Sequence, residues 1–318
     1  MTQLIGLIAF LLHAALVALI APWLVGFTRT LRARLQGRRG PPVLQTWRDL
    51  IRLGRKETVL AENASVVTQG TPILVFAASA VAALLVPSFA LGMSSAATSD
   101  LLLIAGLFAL SHAAMALAAM DAGNWFGGLG VSREALFSFF AEPVLLLVFF
   151  TIFLVAGSTN LDHVVGFLRN GSEGLRVSLA LGAAAMVTVA LASMGRLPVG
   201  NPATHLEVTM LHESMTLEFS GRDLALIEAA SQLRFFTWLA LLAAIFVPFG
   251  IAPAGSMADW PLGLLSFGAK MLVLTAALTV FESGLARMRI FRVPELLGIA
   301  LMLAILAVLF LFVSEGFT

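Results

Sequence analysis

Eight apolar runs, each long enough to cross a bilayer, are the feature that most constrains this chain. A hydrocarbon core about 30 Å thick requires roughly 20 apolar residues in a helix. Lipid offers no hydrogen-bond partners to the backbone, whereas an α-helix pairs its backbone N–H and C=O groups internally. The sequence therefore predicts an all-α polytopic membrane protein with about eight transmembrane helices. The predicted spans are 4–28, 71–92, 100–121, 136–157, 175–195, 233–252, 262–282 and 296–314.

The composition agrees with a membrane protein and excludes several kinds of site. Hydrophobic residues make up 59% of the chain and charged residues 12%, whereas a soluble domain is roughly 25% charged. The 19 basic and 18 acidic residues leave no surplus for binding nucleic acid. The absence of Cys excludes disulfides and thiolate-held iron–sulfur clusters. His212 and Glu213 begin like a zinc motif, but Thr216 stands where the second His is needed, so no metal site is predicted.

The basic residues predict the orientation of the chain in the membrane. Sixteen of the 19 Lys and Arg residues lie in alternate connecting segments on one side, and two lie on the other side. Because basic loops remain in the cytoplasm, both termini are predicted to lie outside, with long cytoplasmic loops after helices 1 and 5. We expect a single integral membrane domain, 1–318, with a basic loop at 29–70 and an acidic loop at 196–232.

The basic loop contains a predicted amphipathic helix. The turn that ends in Pro41 and Pro42 precedes Leu44, Trp47 and Leu50 at helical spacing. Two interpretations remain open: an interfacial helix held by anionic lipid, or a docking surface for a soluble partner. The candidate docking residues are Arg38, Arg39, Arg48, Asp49 and Arg52.

The acidic loop combines carboxylates with many apolar residues. Asn201 and Pro202 form a good helix start, and Gly221 is predicted to separate this helix from a second short one containing Glu228. One interpretation is a solvated acidic face. The other is a segment that packs into the bundle and takes its carboxylates with it.

Charged residues also fall inside the predicted spans. Glu142 lies in the fourth span, Lys270 is near the middle of the seventh, and Asp121 and Glu282 close the third and seventh. Ionised groups at such depth cost a few kcal/mol even on lenient scales, and they commonly mark an ion path. An alternative is a structural ion pair between Lys270 and Glu142.

Three stretches resemble one protein family. They are GRRGPPVLQTWRDLIRLGRKET at 37–58, GRLPVGNPATHLEVTMLHESMTLEFSGRDLALIEAAS at 195–231 and FESGLARMRIFRVPELLG at 281–298. They look like the large membrane-anchor subunit of respiratory complex I and its hydrogenase relatives, whose signature of Glu, Tyr or Phe, Ser and Gly is matched at 218–221. Two departures from complex I, Val43 directly after the prolines and Glu282 where complex I tends to have Arg, resemble the formate hydrogenlyase and hydrogenase-4 branch of group 4 nickel–iron hydrogenases.

The resemblance implies a non-catalytic membrane-anchor and proton-coupling subunit with no redox centre of its own, in the plasma (inner) membrane of a prokaryote. It implies hydrogenase large and small subunits, an iron–sulfur subunit and antiporter-like membrane subunits as partners, which would hold the nickel–iron and iron–sulfur centres. Membrane lipid is also an expected partner. The residues that it implies for the coupling path are Asp121, Glu142, Glu207, Glu213, Glu218, Glu228, Lys270 and Glu282.

Three other functions fit some of these features. The first is the quinone-pocket subunit of a complex I enzyme, which quinone-dependent turnover would identify. The second is a stand-alone secondary transporter, which would work without partner subunits. The third is a passive anchor, whose carboxylates only hold the bundle together.

Overall fold

The computed structural model describes residues 2–61, 63–121, 123–171, 177–196, 212–284 and 292–316. Within these ranges the chain forms α-helices joined by loops and short 3-10 turns, and no β-strand is present. The helices are α1 (Thr2–Leu35), α2 (Gln45–Gly54), α3 (Val66–Leu85), α4 (Leu101–Asp121), α5 (Trp125–Ala156), α6 (Leu161–Arg169), α7 (Val177–Ser193), α8 (His212–Thr216), α9 (Gly221–Phe246), α10 (Trp260–Gly284) and α11 (Val293–Gly316).

The long helices confirm a polytopic all-α membrane protein. In the part of the chain that is described, seven helices are long and apolar enough to cross a membrane: α1, α3, α4, α5, α9, α10 and α11. A further apolar helix, α7, has 17 residues. Each of the eight predicted spans overlaps one of these helices, whereas the number of crossings and the orientation remain predictions.

Helix α9 is the centre of the bundle, and here the predicted boundary is wrong. It packs against α1, α2, α3 and α10, and nearly all its residues from Gln232 to Ile245 are buried. The sequence predicts an acidic loop that ends at residue 232, with a separate short helix after Gly221. In the structure one continuous helix runs from Gly221 to Phe246. Its first three turns carry charged residues, which lower the local hydropathy, but tertiary packing keeps them helical.

Helix α5 also begins earlier than predicted. The fourth span was expected to start at residue 136, but α5 begins at Trp125. The side-chain oxygen of Asn124 accepts a hydrogen bond from the backbone N–H of Phe126 at 3.2 Å, which satisfies a free donor of the first turn. Arg133 and Glu134, which precede the predicted span, therefore lie on this helix, and Glu134 is buried.

One end of the bundle is closed by short contacts between loops. Isolated backbone bridges join Ala90 to Ala252 and Asp100 to Asn160. Helix α6, which the sequence analysis did not predict, seals this end with buried Val164 and its neighbours. The loop after α1 and the end of α7, where Arg196 contacts Thr28, lie at the opposite end, which is the cytoplasmic end in the predicted orientation.

The basic loop contains helix α2, at the position where an amphipathic helix is predicted. It packs against α1 and α9, and a Cβ at Gly26 of α1 would lie 1.9 Å from the carbonyl oxygen of Val43. Glycine therefore permits this close approach of the loop to α1. Leu44 and Ile51 remain 55% and 52% exposed, so part of the apolar face of α2 is available to lipid or to a partner.

Candidate functional site

A cavity among the helices, partly open at the surface of the bundle, is lined by three titratable side chains. It has a volume of about 230 Å³ and lies between α4, α5, α7 and Trp238 of α9. Most of its wall is apolar, but His112 of α4 and both Glu134 and Glu142 of α5 line it. The volume is sufficient for several water molecules. The arrangement places acid–base groups and space for water within the membrane-spanning part of the chain.

The two carboxylates occupy different environments. Glu134 is only 6% exposed, and it interacts electrostatically with Arg234 of α9. Glu142 is eight residues further along, about 12 Å along the helix axis, and it is exposed on the outer surface of the chain. The cavity therefore extends from a buried carboxylate that interacts with a cation to a carboxylate that is exposed on the outside of the bundle.

Sequence reasoning identified Glu142 but missed Glu134 and Arg234. Glu134 precedes the fourth predicted span, and Arg234 is the second residue of the sixth, where it did not stand out as a site residue. A signal was available in the capping residue Asn124, which indicates that the helix begins at Trp125, nine residues before Glu134. The sequence analysis did not place His112 at a site either, whereas the structure puts it on the cavity wall.

Buried hydroxyl and amide oxygens extend the polar interior beyond the cavity. The side-chain oxygens of Ser79, Ser111 and Gln232 are buried and have no hydrogen-bond partner among the described residues. They come from α3, α4 and α9, three neighbouring helices. Buried polar atoms are normally satisfied by protein or by ordered water. These three oxygens are therefore candidate positions for ordered water.

The Glu218 end of the matched signature lies at the start of α5. Glu218 Oε1 accepts a hydrogen bond from Asn124 Nδ2 at 3.1 Å, and Phe219 is buried. Asn124 also caps α5. A single side chain thus connects the signature carboxylate to the helix that carries Glu134 and Glu142.

The Ser–Gly end of the signature joins the two long loops. Ser220 Oγ accepts a hydrogen bond from the backbone N–H of Val59 at 2.7 Å and donates one to its carbonyl oxygen at 2.9 Å. Gly221 has a φ of +53°, and a Cβ there would lie 2.1 Å from the carbonyl oxygen of Glu57. Only glycine fits both requirements, so the signature is in part a structural joint.

Replacing Gly221 by Ala is expected to open this joint. The left-handed backbone alone costs a non-glycine residue about 1–2 kcal/mol, and the overlap with Glu57 adds to that cost. Gly37→Ala is the matched control, because Gly37 has a φ of +72° and nothing within 4 Å of its Cβ position. Thermal unfolding in detergent should show a clearly larger loss of stability for Gly221→Ala. Equal losses would mean that the loop contact contributes nothing.

Asp121, a predicted coupling residue, caps helix α3. Its Oδ2 accepts hydrogen bonds from the backbone N–H of Ser65 at 2.9 Å and from Thr68 Oγ1 at 2.6 Å. A carboxylate at a helix N-terminus is stabilised by the free N–H groups there. Asp121 thus has a structural role that the sequence analysis did not foresee.

Of the other acids of the predicted path, one lies in a described helix and two lie in the part of the chain whose side chains are not described. Glu228 is partly buried in the first turns of α9. Glu207 lies outside the described residues, as does the side chain of Glu213. The structure therefore brings His112, Glu134 and Glu142 to one cavity and places Glu218 at the end of the same helix pair.

Glu282 belongs to an ion cluster that is separate from the cavity lining. Arg32 of α1 donates a hydrogen bond to Glu282 Oε1, and Arg196 Nη1 lies 3.6 Å from Oε2. The Arg196 guanidinium also lies 4.5 Å from the ring centre of Phe235. Burial, together with the positive charges of Arg32 and Arg29, lowers the pKa of Arg196 to about 10. Arg196 is therefore still protonated at neutral pH, and this cluster joins α1, α10 and the end of α7.

Lys270 lies on α10 and does not line the cavity. The alternative interpretation, a structural pair with Glu142, is wrong for this structure, since the described residues contain no salt bridge between the two.

The candidate docking residues of the basic loop are largely accessible. Arg38, Arg39, Arg48 and Arg52 are exposed. Asp49 is partly buried and lies 3.8 Å from Arg29 and 3.1 Å from Arg52, so it also fixes α2 against α1. A docking role for this surface remains a prediction.

Comparison with known proteins identifies the family. The model of the family described as NADH dehydrogenase matches residues 7–313, nearly the whole chain. The chain belongs to this family. It comprises complex I subunit 1 and its relatives, and the family predicted from the signature and the flanking stretches is thereby confirmed.

Two full-length relatives within the NADH dehydrogenase family carry hydrogenase names. Formate hydrogenlyase subunit 4 of Escherichia coli K12 is 29% identical over 90% of this chain and 92% of its own. Hydrogenase-4 component C of the same organism is 30% identical over 94% of each chain. These relatives support the predicted branch.

A solved structure shows the same fold. A chain of the membrane-bound sulfane sulfur reductase, an archaeal respiratory membrane complex, superposes with a TM-score of 0.74 at 20% identity, covering 94% of this chain and 98% of that one. At this identity the likeness establishes the fold alone.

Proposed function

We propose that this chain is the non-catalytic membrane anchor and proton-coupling subunit of a membrane-bound nickel–iron hydrogenase of the formate hydrogenlyase type. The observation that carries the proposal is the cavity lined by His112, Glu134 and Glu142 inside the bundle. The two hydrogenase-named relatives, each matched along almost its full length, support the same assignment.

The cavity can hold and transfer protons by ordinary acid–base chemistry. Desolvation raises the proton affinity of a carboxylate, and a nearby cation lowers it. Arg234 interacts electrostatically with Glu134, and the imidazole of His112 adds a second kind of acid–base group to the cavity wall. Water in the cavity would carry the proton between them and Glu142.

The loop at Glu218 offers a route by which the soluble arm acts on the cavity. An electron that arrives in a docked redox subunit adds negative charge, which raises the proton affinity of nearby carboxylates. Glu218 contacts Asn124 at the head of α5, so a change of charge or position there acts on the helix that carries both cavity acids.

The proposed partner subunits would bind at the basic loop, at α2 and near Glu142. The exposed arginines of the basic loop and the apolar face of α2 would dock the hydrogenase large and small subunits and an iron–sulfur subunit, which hold the nickel–iron and iron–sulfur centres. Antiporter-like membrane subunits would continue the proton path from Glu142, which is exposed at the surface of the bundle. The whole assembly would lie in the inner membrane of a prokaryote.

The test is to extract the tagged protein in mild detergent and to assay the purified assembly. We expect hydrogen evolution from reduced viologen, together with bound nickel and iron. An intact assembly that lacks nickel, evolves no hydrogen and turns over with quinone would replace this proposal with the complex I alternative.

A further inference from the structure

Lys270 is a cation within the membrane for which the described chain supplies no counter-ion. It is partly buried on α10, and none of the described carboxylates lies within 4.0 Å of its nitrogen. No side-chain hydrogen bond to Lys270 occurs among the described residues either. Charged side chains in spans almost always pair with another group or face water, so this lysine requires water or a partner that lies outside the described residues.

The depth of Lys270 makes lipid a poor partner. It is the eleventh residue of the 25-residue helix α10, about 15 Å from one end and about 21 Å from the other at 1.5 Å per residue. Lysine side chains near a helix end extend to the headgroups, but this one starts near the middle. Hydrocarbon at that depth offers no hydrogen-bond acceptor.

The exposed face of α10 has a shape that a second helix can approach. Val273 and Ala277, one and two turns beyond Lys270, are both exposed. Ala269, the residue before the lysine, is exposed as well. Small residues allow close packing of transmembrane helices, so a neighbouring helix can come near enough to reach Lys270.

We propose that the exposed face of α10 is an interface for a transmembrane helix of another subunit, and that an Asp or Glu on that helix pairs with Lys270. The proposal rests on the proposed membership of a multisubunit complex, but not on proton transfer through the cavity. A second copy of this chain does not fit, because a symmetric contact through α10 would place two Lys270 side chains opposite each other.

A carbodiimide cross-link tests the pair directly. The chain has two lysines, Lys56 and Lys270, so Lys56→Arg leaves Lys270 as the only lysine amine. Dicyclohexylcarbodiimide, added to the assembled complex in membranes, converts a carboxylate to an O-acylisourea. The neutral Lys270 amine attacks the acyl carbon, an amide forms, and dicyclohexylurea leaves with the oxygen atom.

We expect mass spectrometry to find the Lys270 peptide joined to an Asp or Glu in a membrane helix of another subunit. Lys270→Gln in the same background is the control that must lose this product. No cross-link in an intact complex, a cross-link within this chain, or one to a second copy would each overturn the proposal.

Retention of the partner provides an independent measurement. We expect Lys270→Leu to lower the amount of the cross-linked subunit that co-purifies by about tenfold, because a buried carboxylate would be left unpaired, whereas Lys270→Arg retains it. Thr275→Val, at a buried site on the same helix, should leave retention unchanged. Full retention in Lys270→Leu contradicts the proposal. Failure of the hydrogenase assignment is recognised separately, by the absence of nickel and of viologen-dependent hydrogen evolution in the unmodified complex.

Discussion

Replacing Glu134 or Glu142 by Gln is expected to lower proton transport by the assembled complex on the order of a hundredfold, the lower end of the usual contribution of a positioned proton-transfer group. Both carboxylates line the intramembrane cavity, and Gln cannot accept and release a proton. Proton movement is measured with a pH-sensitive dye in proteoliposomes during turnover with the complex's own electron donor. Hydrogen evolution from reduced viologen, measured in the same sample, reports the amount of intact soluble arm.

Controls separate proton transfer from folding. Glu134→Gln also removes the charge that faces Arg234, whereas Glu134→Asp keeps it and should recover part of the transport. Glu57→Gln is the matched control, since it makes the same chemical change at an exposed position of the basic loop. If both cavity variants assemble and transport protons normally, the carboxylates only stabilise the bundle and the passive-anchor alternative is correct.

The largest loss of stability is expected from Glu282→Gln. Glu282 is the shared partner of Arg32 and Arg196, and the side chains of Glu282 and Arg196 are only 11% and 16% exposed. Removing one member of a buried ion pair costs about 3–5 kcal/mol, and the partial exposure of Arg32 places the expected cost at about 3 kcal/mol. The unfolding temperature in detergent should fall by roughly 6–12 °C, at 2–4 °C for each kcal/mol.

Arg52→Gln is the control for this effect, because its pair with Asp49 is exposed and such pairs contribute less than about 1 kcal/mol. Complexes of Glu282→Gln that do assemble should transport protons at a normal rate per complex. A stable Glu282→Gln protein with impaired transport would return Glu282 to the coupling path implied by the resemblance.

The fold class was accessible from the sequence because apolar length is a direct physical requirement of the bilayer. The predicted limits of the spans agree closely with the helices where charged residues are few, as in α4 and α10. They failed at the starts of α5 and α9, where polar residues such as Glu134 and Glu228 lie between the start of the helix and its apolar run. Glu134 also interacts with Arg234 across the bundle, and a contact between distant parts of the chain leaves no periodic signal.

Some site residues were likewise recognisable from the sequence, whereas others required the structure. Glu142 stood out because it interrupts an apolar run, whereas the Arg32–Glu282–Arg196 cluster depends on three segments meeting in space. The signature at 218–221 was recognisable as a pattern, but its contacts with Val59 and Glu57 required the structure. Asp121 is an acid at the end of a predicted span, which suggested a coupling residue, but its hydrogen bonds are those of a helix cap.

Infrared difference spectroscopy on the purified complex tests proton uptake in the cavity most directly. Reduction and reoxidation of the complex should produce a carbonyl-stretch band of a protonated carboxylic acid that shifts in deuterated water. We expect this band to be lost or greatly reduced in Glu134→Gln or Glu142→Gln and unchanged in Glu57→Gln. A band that is identical in both cavity variants and in the unmodified complex would show that neither carboxylate changes its protonation during turnover, and would contradict proton coupling through this cavity.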